Sequence, residues 1–285
     1  MTAVINIRDL RMEYGSFTAV DGISLQINQG EIFAILGPNG AGKTTTVEIL
    51  EGFRKPTSGT VEVLGFDPQD KGTNARDWRN RIGIVLQNSA DAGDLTVAET
   101  VEHFAHYYTN PRDPKEVIDL VGLTEKSKAL IRTLSGGQRR RLDVALGIIG
   151  RPELLFLDEP TTGFDPEARR AFWTLINDLR TQGTTILLTT HYLDEAEALA
   201  DRVAVISKGK IIEVSTPHEL GGRQEAKATV SWSDGELMRS EQSDNPTELV
   251  VQLSEQFGGE VSNLTVTRPT LEDIYLTMIA GGHGE

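Results

Sequence analysis

The sequence predicts an α/β fold built on a mostly parallel sheet with flanking helices. Short, nearly continuous apolar runs are typical of strands buried on both faces, and helical stretches alternate with these runs. The runs are Ile32–Leu36, Ile82–Leu86, Leu154–Leu157, Thr185–Leu188 and Val203–Ile206. The helical stretches include Thr44–Leu50, Glu167–Arg180 and Leu193–Ala200.

Three further parts surround this core. Val4–Leu10 and Gly22–Ile27 alternate apolar and polar residues, which predicts an N-terminal antiparallel β subdomain with one buried face. Residues 96–150 show helical patterns and little strand signal, so we expect a helical insertion between two core strands. The composition turns polar after Pro217, which places a large domain at 1–220 and a small α+β domain at 221–285.

The last predicted helix, Thr270–Ala280, has an apolar face and a capping pair between Thr270 and Asp273. That face packs either on its own small domain or on a partner. The small domain itself could be a regulatory or dimer-stabilising module.

Composition narrows the class of protein. The 285 residues contain 38% hydrophobic and 25% charged residues, as in ordinary globular proteins, and no run approaches the 18 to 20 apolar residues of a membrane-spanning helix. The absence of cysteine suits a reducing interior such as the cytoplasm, and it suits other compartments nearly as well. A net charge of -14 disfavours nucleic acid as the partner. The basic run Arg139–Arg141 is either a solvated helix face or a contact surface.

A glycine-rich loop between the first core strand and the first core helix carries the phosphate-binding pattern G-x-x-x-x-G-K-T. Its backbone N–H groups form an anion nest at a helix N-terminus, Lys43 can reach the β- and γ-phosphates, and the Thr44 hydroxyl is a ligand suited to Mg²⁺. This setting predicts a P-loop NTPase core that binds ATP. The loop residues are Gly37, Pro38, Asn39, Gly40, Ala41, Gly42, Lys43, Thr44 and Thr45.

Two carboxylates follow the buried strand Leu154–Leu157. Asp158 and Glu159 fall at the sheet edge where open α/β sheets bind ligands. We expect Asp158 to hold the metal and Glu159 to polarise an attacking water.

A second Gly-rich segment opens a later helix. Leu134-Ser135-Gly136-Gly137-Gln138 offers a hydroxyl and open backbone N–H groups at a helix N-terminus, which predicts another phosphate-binding surface. On its own, this segment could equally be a turn and helix cap.

The order of these motifs resembles the nucleotide-binding subunits of ATP-binding cassette (ABC) transporters over residues 2–217. The resemblance implies that Leu134–Gln138 is the family signature, which closes over ATP held by an opposite subunit. It also implies that Tyr14 stacks on adenine, that Gln87 contacts the metal and water, and that His191 contacts the γ-phosphate. Asp165 would communicate across the dimer, although Gly163-Phe164 precedes it where many relatives have Ala-Leu.

The same resemblance implies partners and a location. They are an integral membrane permease subunit, a homodimer or heterodimer of nucleotide-binding subunits, and a position on the inner face of the cell membrane. The segment Arg268–Leu276 resembles the C-terminal segment of drug-resistance-type exporter ATPases, which favours export. The alternative is a soluble ATPase switch acting on a non-membrane partner.

Overall fold

The computed structural model describes residues 2–85, 94–235 and 237–281. Contacts within the chain divide it into two compact units, residues 1–214 and residues 215–285. The α/β class predicted from the apolar runs is confirmed in the first unit.

The first unit contains two sheets. Its strands are β1 (Ala3–Tyr14), β2 (Phe17–Asn28), β3 (Ile32–Leu36), β4 (Ser58–Val63), β5 (Ile82–Val85), β6 (Leu154–Asp158), β7 (Thr185–Thr190), β8 (Arg202–Ser207) and β9 (Lys210–Ser215). Strands β2, β1 and β4 pair antiparallel in that order, as predicted for the N-terminal part. The predicted strands in this part were too short, and β4 was missed because its residues are mostly exposed and polar.

The second sheet has the order β5-β6-β7-β3-β8-β9. Pairing is parallel from β5 to β8. Every residue of β3, β6 and β7 is buried, which explains why these strands are continuous apolar runs rather than alternating ones. Phe33, Phe156 and Leu187 from these strands lie in the main hydrophobic core.

The helices of the first unit are α1 (Lys43–Leu50), α2 (Ala75–Asn80), α3 (Val97–Ala105), α4 (Pro114–Leu120), α5 (Gly136–Ile148), α6 (Pro166–Thr181) and α7 (Leu193–Leu199). Helices α3, α4 and α5 contact one another between β5 and β6 in the sequence. Local chemistry sets where they begin: Thr96 and Glu99 form a capping box on α3, and Asp113 caps α4 just before Pro114.

The second unit contains β10 (Ala228–Asp234), β11 (Leu237–Ser243), β12 (Thr265–Thr267), α8 (Pro246–Gln256) and α9 (Leu271–Gly281). Its small core includes Val230, Trp232, Leu253 and Val261. The sequence of this polar region shows one alternating segment, Ala226–Trp232, whereas the structure has a second strand, β11, that pairs with β10 along its whole length. Strand β11 was missed because six of its seven residues are exposed, so no apolar alternation marks it.

Helix α9 begins as predicted. The Thr270 N–H and hydroxyl donate to Asp273 at 2.8 and 2.7 Å, and the Asp273 N–H donates back to the Thr270 hydroxyl at 3.1 Å. Leu271 and Tyr275 are buried, and α9 contacts the turn at 220–222 of its own unit. At least part of its apolar face is therefore used within the small unit.

Candidate active site at the sheet edge

Three neighbouring strands of the parallel sheet end at one edge. Strand β7 lies between β3 and β6, although it comes last of the three in the sequence. The glycine-rich loop follows β3, Asp158 and Glu159 lie at the end of β6, and His191 follows β7. Because parallel strands share their carboxyl edge, this order brings the three predicted motifs together.

The glycine-rich loop leads directly into α1. Gly40 and Gly42 have φ values of 79° and 102°, in the left-handed region that favours glycine. A Cβ at Gly42 would collide with the carbonyl oxygen of Ala19, and one at Gly37 with that of Ile206. This tight packing fixes the path of the loop. The backbone N–H groups of the loop can therefore form an anion nest at the start of α1.

Lys43 lies between the loop and the carboxylates. Its side chain is buried, and Nζ donates to the carbonyls of Gly37 at 2.8 Å and Pro38 at 3.3 Å. Nζ also lies 3.7 Å from Glu159 Oε1. Burial lowers the pKa of Lys43, and the nearby Glu159 and Asp158 carboxylates oppose that shift. The ammonium is thus held at the centre of the sheet edge.

Asp158 is buried and accepts hydrogen bonds from two hydroxyls. The Thr189 hydroxyl donates to Oδ1, and the Thr44 hydroxyl lies 3.4 Å from Oδ2 as a donor. Within the part of the chain that the structure describes, no cluster of three or more His, Cys, Asp or Glu side chains could hold a metal ion. Mg²⁺ is usually bound by one or two protein oxygens together with water and phosphate, and Thr44 with Asp158 fits such a set.

Glu159 has a strained backbone and two charged or titratable neighbours. Its φ of 46° lies in the left-handed region, and its N–H donates to the carbonyl and hydroxyl oxygens of Thr189, both at 3.1 Å. Oε1 lies 3.2 Å from His191 Nδ1 and 3.7 Å from Lys43 Nζ. The carboxylate therefore sits at the junction of all three strand ends.

Thr189 was not singled out from the sequence. It bonds to both acidic residues, Asp158 through its hydroxyl and Glu159 through its carbonyl and hydroxyl. A threonine near a strand end carries no distinctive signal, and its role depends on β7 lying beside β6. Only the spatial strand order identifies it.

A cavity of about 410 Å³ adjoins Lys43. Tyr14 and Phe17, both at the tip of the β1–β2 hairpin, form its aromatic end and are exposed to solvent. Phe17 was missed because an exposed aromatic at a strand start resembles many surface residues. The other lining residues are Ala19, Asn39, Gly40, Gly42, Lys43, Thr44, Thr45 and Glu159.

The segment at the start of α5 does not belong to this cavity. Among the described residues that line it, none falls within 135–138. The Ser135 hydroxyl accepts from the Gln138 N–H at 3.3 Å, and the Gln138 side chain accepts from the Ser135 N–H at 3.1 Å. Asp165 likewise caps α6, accepting from the Ala168 N–H at 2.7 Å.

Two further sequence predictions have separate outcomes. Gln87, expected at the metal, lies outside the described residues. The interpretation of Arg139–Arg141 as a solvated face is wrong for Arg140, because this residue is buried. Backbone carbonyls at the end of β6 accept hydrogen bonds from its guanidinium.

The sequence matches the model of the family described as ABC transporter over residues 20–162. It is 41% identical over 224 residues to the Nod factor export ATP-binding protein I of Ralstonia nicotianae, covering 77% of this chain and 69% of that protein. It is 35% identical over 301 residues to the daunorubicin resistance ATP-binding protein DrrA3 of Streptomyces coeruleorubidus, covering 95% and 94%.

Solved structures share the fold. The cbiO1 protein from Clostridium perfringens, part of the ABC transporter complex cbiONQ, has a TM-score of 0.70 at 29% identity, covering 79% of this chain and 93% of that one. A dimeric ATP-binding cassette in a post-hydrolysis state with ADP and Pi has a TM-score of 0.68 at 24% identity, covering 74% and 98%.

Proposed function

The chain belongs to the ATP-binding subunits of ABC transporters, and from that premise we propose that it energises export of a substrate through a separate membrane permease subunit. Members of this family bind and hydrolyse ATP, so the chain is an ATPase. One observation carries the proposal at the level of residues. Lys43, Asp158, Glu159 and His191 meet at the sheet edge, beside a cavity with an aromatic end.

The cavity accommodates a nucleotide with its adenine at the aromatic end and its phosphates at the glycine-rich loop. The Tyr14 ring stacks on adenine, an interaction worth about 1 to 3 kcal/mol by analogy with base stacking elsewhere. The loop from Gly37 to Thr45 surrounds the phosphates with its N–H groups, and Lys43 Nζ neutralises the β- and γ-phosphates. The buried, hydrogen-bonded position of Lys43 supports this role.

Thr44 and Asp158 are the described residues suited to hold Mg²⁺, with Gln87 as a third ligand expected from the family. Their side-chain oxygens lie 3.4 Å apart, which supports a shared coordination shell. Bound there, Mg²⁺ supplies charge neutralisation for the phosphates.

Glu159 acts on the attacking water. Its carboxylate accepts the proton, while the strained backbone and the Thr189 bonds hold it in position. His191, 3.2 Å away, orients this carboxylate and contacts the γ-phosphate. Charge developing on the phosphoryl oxygens is balanced by Lys43.

A second ATP-binding subunit completes each site. Ser135, Gly136, Gly137 and Gln138 lie outside the cavity of their own chain, which supports a role on ATP held by the opposite subunit. Asp165, at the start of α6, communicates across that dimer. Either two copies of this chain or a heterodimer meets this requirement.

The permease subunit docks on the first unit. A groove of about 360 Å³ is lined by apolar and aromatic residues, including Phe53, Phe104 and Tyr108, and Phe53 is 68% exposed. Exposed apolar surface of this kind is typical of protein interfaces. Such docking would hold the chain on the cytoplasmic face of the cell membrane.

Export is supported by the relatives named for Nod factor export and daunorubicin resistance. The segment Arg268–Leu276 supports the same direction. Across residues 2–85, 94–235 and 237–281, no helix is both long and apolar enough to cross a membrane.

Copurification tests the proposal. A tagged chain, extracted with detergent from its native cells, is expected to retain a polytopic membrane protein, and the complex should hydrolyse ATP. The Lys43→Ala variant is the control for the activity, because it should retain the partner but lose ATP binding. Recovery of ribosomes or DNA in place of a membrane protein would favour a soluble ATPase switch instead.

A further inference from the structure

Arg140 lies one turn after the cap of α5, in the middle of the run Arg139–Arg141. The sequence left a solvated face and a contact surface as the two interpretations of this run, and Arg140 is only 7% exposed. The other two arginines face elsewhere: Arg139 donates to the Ile131 carbonyl at 3.0 Å, and Arg141 lines a small pocket with Asp119 and Phe172. Arg140 is directed at the end of β6.

The guanidinium of Arg140 binds the chain on both sides of Glu159. Nη2 donates to the Asp158 carbonyl at 2.7 Å, and Nε donates to the Pro160 carbonyl at 3.0 Å. The first carbonyl belongs to the Asp158–Glu159 peptide group, directly before Glu159, and the second belongs to the Pro160–Thr161 peptide group, one peptide group beyond the Glu159–Pro160 bond. The guanidinium is a rigid fork, so it fixes the distance and the orientation of the two carbonyls together.

This fixing matters because Glu159 has a left-handed backbone conformation, at φ 46°. Such a conformation is unfavourable in a residue other than glycine and persists only where its surroundings impose it. Thr189 holds the N–H of Glu159 from β7. Arg140 supplies a second constraint, from a different structural element, helix α5.

The surroundings of Arg140 show that this charge is built into the fold. Burial lowers its pKa, and the neighbouring carboxylates of Asp143, Asp158 and Glu195 oppose the shift. A guanidinium stays protonated in proteins, so a fixed positive charge lies behind the strand end that carries Asp158 and Glu159.

We propose that Arg140 is a positioning residue for Glu159, linking the capped start of α5 to the hydrolytic carboxylate of the same chain. Ser135 and Gln138 contact the nucleotide of the opposite subunit, whereas Arg140, on the same helix, controls the carboxylate at the chain's own nucleotide. A shift of α5 would thereby move the Glu159 peptide groups. The inference rests on the proposed role of Glu159 as the group that activates water.

The test replaces Arg140 by Gln and by Lys in the transporter complex. The Gln variant keeps one neutral amide donor group. The Lys variant keeps the positive charge but lacks the planar guanidinium. We expect kcat for ATP hydrolysis to fall by about 10- to 100-fold in Arg140→Gln, since small misplacements of a catalytic group have effects of that size. Arg140→Lys should fall between this variant and the wild type, and Arg141→Gln, on the same helix, should keep its activity.

Nucleotide affinity separates positioning from general damage. The dissociation constant for ATP, measured by fluorescence titration, should change by less than about twofold in Arg140→Gln, because the cavity is lined by other residues. A parallel loss of ATP affinity in both Arg140→Gln and Arg140→Lys would indicate a merely structural role and overturn the inference. Arg140→Lys also covers the case in which Arg140→Gln fails to fold.

A double variant connects the effect to Glu159. If Arg140 acts through this carboxylate, adding Arg140→Gln to Glu159→Gln should lower the residual rate by less than about twofold, because residues acting as a unit are not additive. An additive further loss, or full activity of Arg140→Gln, would overturn the inference while leaving the proposed role of Glu159 intact. Full activity of Glu159→Gln alone would instead contradict the proposed function.

Discussion

The carboxyl edge of the parallel sheet and the first turn of α5 offer similar groups, namely hydroxyls and backbone N–H donors, but use them differently. At the sheet edge, side chains from separate strands bind one another: Thr189 bonds to Asp158, and Glu159 lies near both Lys43 and His191. At α5, Ser135 and Gln138 bond only locally, in a capping box. This difference is what we expect if the sheet edge forms one half of a nucleotide site and the start of α5 forms the other half for a second subunit.

The two regions also differ in energetic cost. The sheet edge contains the left-handed Glu159, a buried lysine and a buried carboxylate, all of which destabilise an isolated fold. The capping box of α5 is a relaxed and common helix start that stabilises its helix by about 1 kcal/mol. Strain concentrated at the edge agrees with catalysis there, and the relaxed cap agrees with binding alone.

The largest expected effect concerns the edge. Glu159→Gln keeps the shape of the side chain and removes the proton acceptor, so kcat for ATP hydrolysis should fall by about 100-fold or more. ATP should still bind, and the ATP-bound dimer should accumulate on size-exclusion chromatography. Glu153→Gln, at an exposed surface pair with Arg81 before β6, is the control and should retain turnover. Undiminished steady-state hydrolysis by Glu159→Gln would contradict its role.

A mixture of variants tests whether the two regions act on different chains. Lys43→Ala should lose ATP binding, and Ser135→Arg should block closure of the partner site, so each variant alone should be nearly inactive. Coexpressed in equal amounts with the membrane partner, the two should restore about one quarter of the wild-type rate. This follows because half of the randomly formed dimers are mixed, and each mixed dimer has one intact site of two.

Activity recovered by mixing requires Lys43 and Ser135 to act from opposite chains. If Ser135 instead served the nucleotide of its own chain, both sites of a mixed dimer would carry a defect and no activity would return. A heterodimer with a different ATP-binding subunit would also prevent recovery, and mass spectrometry of the purified complex would identify that subunit.

The sequence predicted those features of the two regions that depend on local sequence, and it missed those that depend on which elements pack together. Buried runs such as Leu154–Leu157 and the loop from Gly37 to Thr44 follow from local patterns, because burial on both faces and phosphate binding each require particular residues in sequence. Thr189 escaped prediction because its role depends on β7 lying beside β6, and Arg140 because its role depends on α5 packing against the end of β6. A polar side chain that bonds to a neighbouring strand's backbone leaves no periodic signal in its own segment.

The smallest expected effect tests how much buried charge near the sheet edge destabilises the folded state. Glu51, directly after α1, is 7% exposed, and burial together with the nearby Asp158 and Glu48 carboxylates raises its pKa from 4.5 to about 8. In the unfolded chain Glu51 ionises near its ordinary value, while in the folded chain it stays protonated up to about pH 8. The folded state therefore binds the additional proton in this interval, and stability is lost as the pH rises from about 4.5 to 8.

Glu51→Gln removes this loss, because the amide resembles the protonated acid and has no charge to bury. The stability difference between variant and wild type should be small at pH 5 and grow to about 1 to 3 kcal/mol at pH 8.5, or a few degrees in melting temperature. Glu48→Gln is the matched control: it breaks the partly exposed pair with Arg54 at 2.6 Å, so it should leave the melting temperature unchanged or slightly lowered. An equal melting-temperature gain from Glu51→Gln at pH 5 and pH 8.5 would contradict this prediction. It would mean that the Glu51 carboxyl group does not add to the electrostatic repulsion at Asp158. The destabilisation of the sheet edge would then come from its strained backbone alone.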